Sequence, residues 1–135
     1  MATALENVQQ IYAAFGKGDI PAILEFLDDD VKWEEWGDNS AQRAGVPWLR
    51  GGSGKSAAVG FFGVVGSMKF NDFRVVGMMA NQNQVAVEVV LDATMPSGKR
   101  VKDEEIHLWT LNAQGKVVRM RHYLDTAKHI AAAAV

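Results

Sequence analysis

Cysteine is absent from this chain, so disulfides, thiolate nucleophiles and cysteine zinc sites lie outside its chemistry. An excess of one charge is missing too. The 16 acidic and 14 basic residues are mixed along the sequence and leave a net charge of −2, without the basic footprint that nucleic-acid binding requires. No apolar run reaches the roughly 18 residues that a membrane span needs. There is no basic segment followed by an apolar one at the start and no lipidation motif at either end. Neither repeats nor linkers divide the sequence. The expectation is one soluble, cytoplasmic domain over residues 1–135, engaging neither nucleic acid nor membrane, with 48% hydrophobic residues to build its core.

What is present is organised around Asp103 to Asp125. Two arms rich in β-branched and aromatic residues, Val101 to Thr110 and Lys116 to Leu124, flank the turn-forming Asn112-Ala113-Gln114-Gly115. This predicts a β-hairpin forming the floor of a pocket. With Leu111 facing Lys116, Trp109 opposes Val118, His107 opposes Met120 and Glu105 opposes His122, all on one face. The other face carries Ile106, Leu108, Thr110, Arg119, Arg121 and Tyr123. Its apolar centre beside arginines suits a homodimer interface.

Upstream, Thr3-Ala4-Leu5-Glu6 has the form of a capping box, and Leu5, Val8, Ile11, Tyr12 and Phe15 recur at helical spacing. That predicts a helix over about Ala4 to Phe15. A second, short helix follows, capped by Asp19 with Pro21 in its first turn. Asp28-Asp29-Asp30 lacks the spacing of a calcium loop and reads as a solvated turn. Alternation along Val31 to Trp36 places Val31, Trp33 and Glu35 on one strand face, unless the strand ends at Glu34 and leaves Glu35 on the rim. The loop-like stretch from Gly37 to Gly52 contains Trp48 and Leu49, so a lid is expected there. Gly51-Gly52-Ser53-Gly54-Lys55-Ser56 lacks P-loop spacing, since Leu49 stands where the first glycine belongs. It leads into a third helix capped by Ser53 or Ser56. Strands over Phe70 to Met79 and Val85 to Met95 precede the hairpin, and His129 to Val135 is a frayed tail or a short docking helix. Three helices segregated from a strand meander define an α+β fold in which a curved antiparallel sheet wraps the helices.

Tyr12-Ala13-Ala14-Phe15, Gly18-Asp19, Val31 to Glu35, Phe61-Phe62 and Gly115-Lys116-Val117-Val118 follow one another in an order that resembles the nuclear-transport-factor-2-like superfamily. Within it the likeness is to SnoaL-like and ketosteroid-isomerase-like members. The resemblance implies a cone-shaped α+β barrel with a deep apolar pocket, dimerising through the outer sheet face. Activities in the superfamily range from isomerases, cyclases and dehydratases to epoxide hydrolases and domains that only bind. Residue by residue, His107 falls where ketosteroid isomerases keep a protonated aspartic acid that donates to the oxyanion. After a one-residue gap, Glu35 falls where they keep the carboxylate base. Their first-helix tyrosine falls on Ile11, and the nearest tyrosine is Tyr12. Limonene-type epoxide hydrolases carry an Arg-Asp-Tyr-Phe-Asp run whose first aspartate activates water. Arg121-His122-Tyr123-Leu124-Asp125 resembles it, with histidine at the base position.

Glu35, His107 and His122 are therefore the candidate catalytic groups, with Tyr12, Trp33, Glu105, Trp109 and Met120 as pocket lining. A neutral imidazole held by Glu105 would have a fixed tautomer, and a glutamate among apolar groups would have its pKa raised. No cofactor or metal is expected, and no Gly-x-Ser-x-Gly elbow occurs. The expected partner is a small apolar substrate or ligand, turned over by acid/base chemistry with Glu35 or His122 as base. The alternative is a non-catalytic binding or structural dimer of the same fold.

Overall fold

The first element starts where the capping chemistry places it. Glu6 N–H donates to the Thr3 hydroxyl at 3.1 Å, and Thr3 N–H donates to Glu6 Oε1 at 2.9 Å. The computed structural model describes residues 2–134. In chain order it contains α1 (Ala4–Gly16), α2 (Ile20–Glu25), β1 (Leu27–Trp33), α3 (Ser40–Arg43), a 3₁₀ turn (Pro47–Leu49), β2 (Gly52–Ser53) and α4 (Lys55–Val65). It continues with β3 (Lys69–Ala80), β4 (Gln84–Thr94), β5 (Arg100–Leu111), β6 (Val117–Tyr123) and α5 (Thr126–Ala133). Val8 and Ile11 of α1 are buried, and Asp19 caps α2 by accepting from Ala22 N–H. The expected serine cap of α4 is not found. Gly54 takes that position with φ 84° and no side-chain bond, a conformation that suits glycine.

The strands form one six-stranded sheet in the order β2-β1-β6-β5-β4-β3. From β3 to β6 it is an antiparallel meander, but β1 lies parallel to β6, so the sheet is mixed rather than wholly antiparallel. Bulges after Phe70 and Val75 in β3, and a break between Leu27 and Lys32 in β1, bend it. Helices α1, α4 and α5 pack against it. The sheet is curved and unclosed, and five α-helices replace the expected three, because the stretch after β1 folds α3 and the C-terminal stretch folds α5. Val85, Val87, Val89, Leu91 and Ala93 bury the inner face of β4, while β5 buries Val101, Asp103, Glu105, His107, Trp109 and Leu111. The inner face thus turns from aliphatic to ionisable within one strand step.

The hairpin register differs from the expected one by two residues. His107 pairs with His122, Trp109 with Met120 and Leu111 with Val117, with a bulge at Val118. Asn112 sets the turn that goes with this: its side-chain Oδ1 accepts from the N–H groups of Gln114 and Lys116, and its backbone N–H donates to Lys116 O at 2.8 Å. A shift of two leaves Glu105, His107, Trp109, Met120 and His122 on their expected face, but the bulge turns Val117 into the core in place of the expected Val118, which is half-buried.

Candidate functional site

Between the sheet's inner face and α1, α4 and the folded stretch after β1 lies a cavity of about 80 Å³. All three histidines of the chain line it, together with Glu105 and otherwise mostly apolar and aromatic side chains. Trp48 and Leu49 of the 3₁₀ turn are part of its wall, so the stretch expected to act as a lid does lie over the pocket. For scale, an engineered cavity of ~150 Å³ takes up benzene, so a ligand larger than a single ring enters here only if wall side chains move.

His122 is held from behind. Its Nδ1 lies 2.8 Å from Glu34 Oε1, which also accepts the backbone N–H of His122, while Glu34 Oε2 accepts from Trp36 Nε1 at 3.1 Å. Three donors converge on one carboxylate, which fixes it as the acceptor and leaves the proton of His122 on Nδ1. The lone pair is then on Nε2, and His122 lines the cavity. This corrects the expected orientation of the first strand: Glu35 is exposed and outside the cavity, whereas Glu34 is 2% exposed. Alternation fails because β1 ends at Trp33 and Glu34 adopts φ 53°, the chain's one left-handed non-glycine residue among those described. Gln42 Nε2 holds the carbonyl of Glu34 at 2.7 Å. Gly51 packs so close that a Cβ there would sit 2.7 Å from the same oxygen.

His107 belongs to a directional chain. Trp109 Nε1 donates to Tyr12 Oη at 3.1 Å, Tyr12 Oη lies 2.6 Å from His107 Nδ1, and His107 Nε2 lies 3.1 Å from Glu105 Oε1. Indole only donates and an ionised carboxylate only accepts, so the Tyr12 hydroxyl donates a hydrogen bond to Nδ1 and the imidazole carries its proton on Nε2. Burial, reinforced by the nearby His122, depresses the pKa of His107 despite Glu105, so it remains neutral. Burial also pushes the Tyr12 hydroxyl upward. For Glu105 burial acts to raise the pKa, but the bonds from His107 and His129 outweigh it and hold the carboxyl below the usual range.

His129 is the residue that sequence reasoning missed. It sits on α5, 3% exposed, with Trp48 Nε1 donating to its Nδ1 at 2.9 Å and its Nε2 2.8 Å from Asp103 Oδ2 and 2.9 Å from Glu105 Oε2. The signal was Asp125, whose side chain caps α5 four residues earlier. Burial lowers the pKa of His129, but Glu105 and Asp103 together overcome this and raise it. For Asp103, burial raises the pKa against the bond from His129. Among the described residues these three groups are the set that could hold a metal ion, yet their geometry is that of hydrogen bonds. Ligand atoms on a tetrahedral zinc with bonds of about 2.1 Å stand ~3.4 Å apart. Moreover the indole donor at Nδ1 requires the proton on Nε2, where the ion would bind.

Tyr12, Trp33, Glu105, His107, Trp109, Met120 and His122 all line the cavity; Glu35 does not. Trp33, one of these lining residues, has a buried Nε1 without a hydrogen-bond partner. The sequence matches the SnoaL-like domain family over residues 8–120. Among solved structures it is similar to an NTF2-like protein from Burkholderia thailandensis E264, 21% identical over 100% of both chains with a TM-score of 0.83. It is also similar to a candidate polyketide cyclase from Pseudomonas putida KT2440, 20% identical over 99% of this chain and 100% of that one, TM-score 0.71. A third is a protein from Mycobacterium tuberculosis solved in complex with estradiol-17β-hemisuccinate, 20% identical over 95% of this chain and 98% of that one, TM-score 0.74. No curated protein matches the sequence.

Proposed function

The chain belongs to the SnoaL-like domain family, and we propose that it binds a compact, largely apolar carbonyl, enol or epoxide compound in its cavity and moves a proton on it, without a cofactor. The observation that carries this reading is the Glu34–His122 pair, an imidazole oriented by a buried carboxylate with its free nitrogen's ring on the cavity wall. His122 Nε2 takes a proton from the bound molecule, and Glu34 stabilises the imidazolium that results. His107, neutral and committed at both nitrogens, orients Tyr12 rather than titrating. The Tyr12 hydroxyl is a donor that can rotate from His107 toward an oxygen of the ligand. The protein pairs as a homodimer through the outer sheet face.

The test is deuterium exchange. Incubated in D₂O with cyclohexanone and similar small ketones, the protein is expected to accelerate loss of the α-proton NMR signal. His122→Asn should lower that rate by ~10²-fold or more. Equal rates in the two proteins would remove His122 as the base. A second reading, a binding domain without turnover, is favoured by one observation: Tyr12 and His107 are hydrogen-bonded to each other. It predicts thermal stabilisation by the ketones without exchange.

A further inference from the structure

We infer that Trp48 and His129 set the size of ligand this cavity takes, through a hydrogen bond that a second proton on His129 breaks. The inference rests on the proposed ligand-binding role of the cavity and names what governs admission to it. Both side chains line the cavity, and Trp48 Nε1 donates to His129 Nδ1 at 2.9 Å. The other aromatic side chains of the wall stand on α1, α4 and the strands, where their rings pack against one another. Trp48 stands on the three-residue 3₁₀ turn, and among the described residues its ring meets that of His129 alone, with centroids 6.0 Å apart. Gln42 Nε2 holds the backbone of the turn through the Leu49 carbonyl at 3.0 Å, so what the bond to His129 fixes is the indole itself.

The two nitrogens of His129 face opposite demands. Nε2 lies 2.8 Å from Asp103 Oδ2 and 2.9 Å from Glu105 Oε2, and two carboxylates favour an imidazolium. Nδ1 faces an indole that only donates, which requires the neutral ring. With Nε2 already carrying its proton, a second one goes to Nδ1 and sets N–H against N–H. The bond to Trp48 is then lost and the indole turns away. The remaining charges nearby are engaged elsewhere. On α3, which packs on α5, Arg43 is exposed and pairs with Asp38, and on α5 itself Asp125 caps the Lys128 N–H while Lys128 Nζ donates to the Lys102 carbonyl. Burial lowers the pKa of His129, but Glu105 and Asp103 outweigh it and raise it above the ordinary 6.5. At high pH the indole is therefore held and the cavity keeps its volume of about 80 Å³. As the pH falls through the raised value, Trp48 is released and a ligand of two fused rings gains room.

Nitrogen-resolved NMR of the full chain tests the bond without any ligand. The sequentially assigned Trp48 indole N–H is expected to shift with the same midpoint as the His129 ring nitrogens, at a pH above 6.5. Calorimetry with cyclohexanone and the two-ring 1-decalone reads the consequence. The affinity for 1-decalone relative to cyclohexanone should rise about fivefold or more from pH 9 to pH 6. Trp48→Phe has no donor for the proton to displace and should abolish the rise. His129→Gln offers an amide oxygen to Trp48 and an N–H to the carboxylates at every pH, and should keep the high-pH ratio throughout. An indole signal that stays fixed while His129 titrates overturns the inference, as does a wild-type ratio that does not change with pH, even if neither variant folds. So does a rise that persists in Trp48→Phe. Failure of both ketones to bind, with the indole still following His129, sinks the ligand-binding reading and leaves the proton-broken bond standing.

Discussion

At the scale of single residues, the carboxylate that matters is displaced by one position from where strand alternation puts it. Glu34→Gln removes the charge behind His122 and is expected to slow exchange at least ~10-fold. Glu35→Gln should leave it unchanged, because Glu35 is exposed. Equal effects in the two variants would show that the left-handed turn at Glu34 does not decide which side chain serves the site. Nothing in the sequence announces that turn, since a positive φ at a glutamate is imposed by surroundings such as Gln42 rather than by its own preference. His107 was legible, both as an inward strand residue and as a group with a charged partner. Its depressed pKa predicts an imidazole that remains in the Nε2–H form below its ordinary 6.5. The unfolded chain then binds the proton first. The stability that neutral His107 contributes is therefore complete above 6.5 and is lost as the pH falls through the folded value. Long-range ¹H–¹⁵N spectra across pH 5–7 read this directly, and protonation at or above 6.5 would contradict it.

Among the elements, the hairpin shows what periodicity conveys and what it does not. Alternation placed Glu105, His107, Trp109, Met120 and His122 on one face, and they are there. The pairing partners depended on a bulge that goes with the Asn112 turn, and the facing of His107 on His122, with ring centroids 4.4 Å apart, was out of reach of any count of loop residues. The sequence leaves α5 open between a frayed tail and a docking helix because alanine runs carry little amphipathic signal. What docks it is polar: His129 bridges Trp48 to Asp103 and Glu105. Removing one member of such a buried set strands the charges it faced, a loss of about 3–5 kcal/mol. His129→Ala should therefore lower unfolding stability by that order in urea titrations. A change under 1 kcal/mol would mean α5 is held by Ala132 and Ile130 alone.

For the whole molecule, the outer face of the sheet carries the remaining prediction. Strand register aligns Met79, Ala86, Leu108 and Arg121 in one row and Glu88, Ile106 and Tyr123 in the next. Met79 is 63% exposed and Tyr123 is 40% exposed, so this apolar centre meets solvent in the single chain. Arg121 is arranged at its border: the guanidinium lies 4.3 Å from the Trp36 ring centre, and Nε donates to the Glu35 carbonyl. A two-fold pairing of these faces would bury the rows against their own copies and leave both cavities free. Light scattering at micromolar concentration should then return twice 14.7 kDa. Arg121→Glu places like charges across the two-fold and should weaken association about tenfold or more. Because Arg121 also steadies the turn that carries Glu34, a thermal melt must show the variant folded before the result is read. Ligand binding should persist, since His122 faces the other way along the same strand. A dimer left intact with ligand binding abolished would mean that the outer face serves the site and not the interface, and a wild-type monomer would remove the pairing altogether.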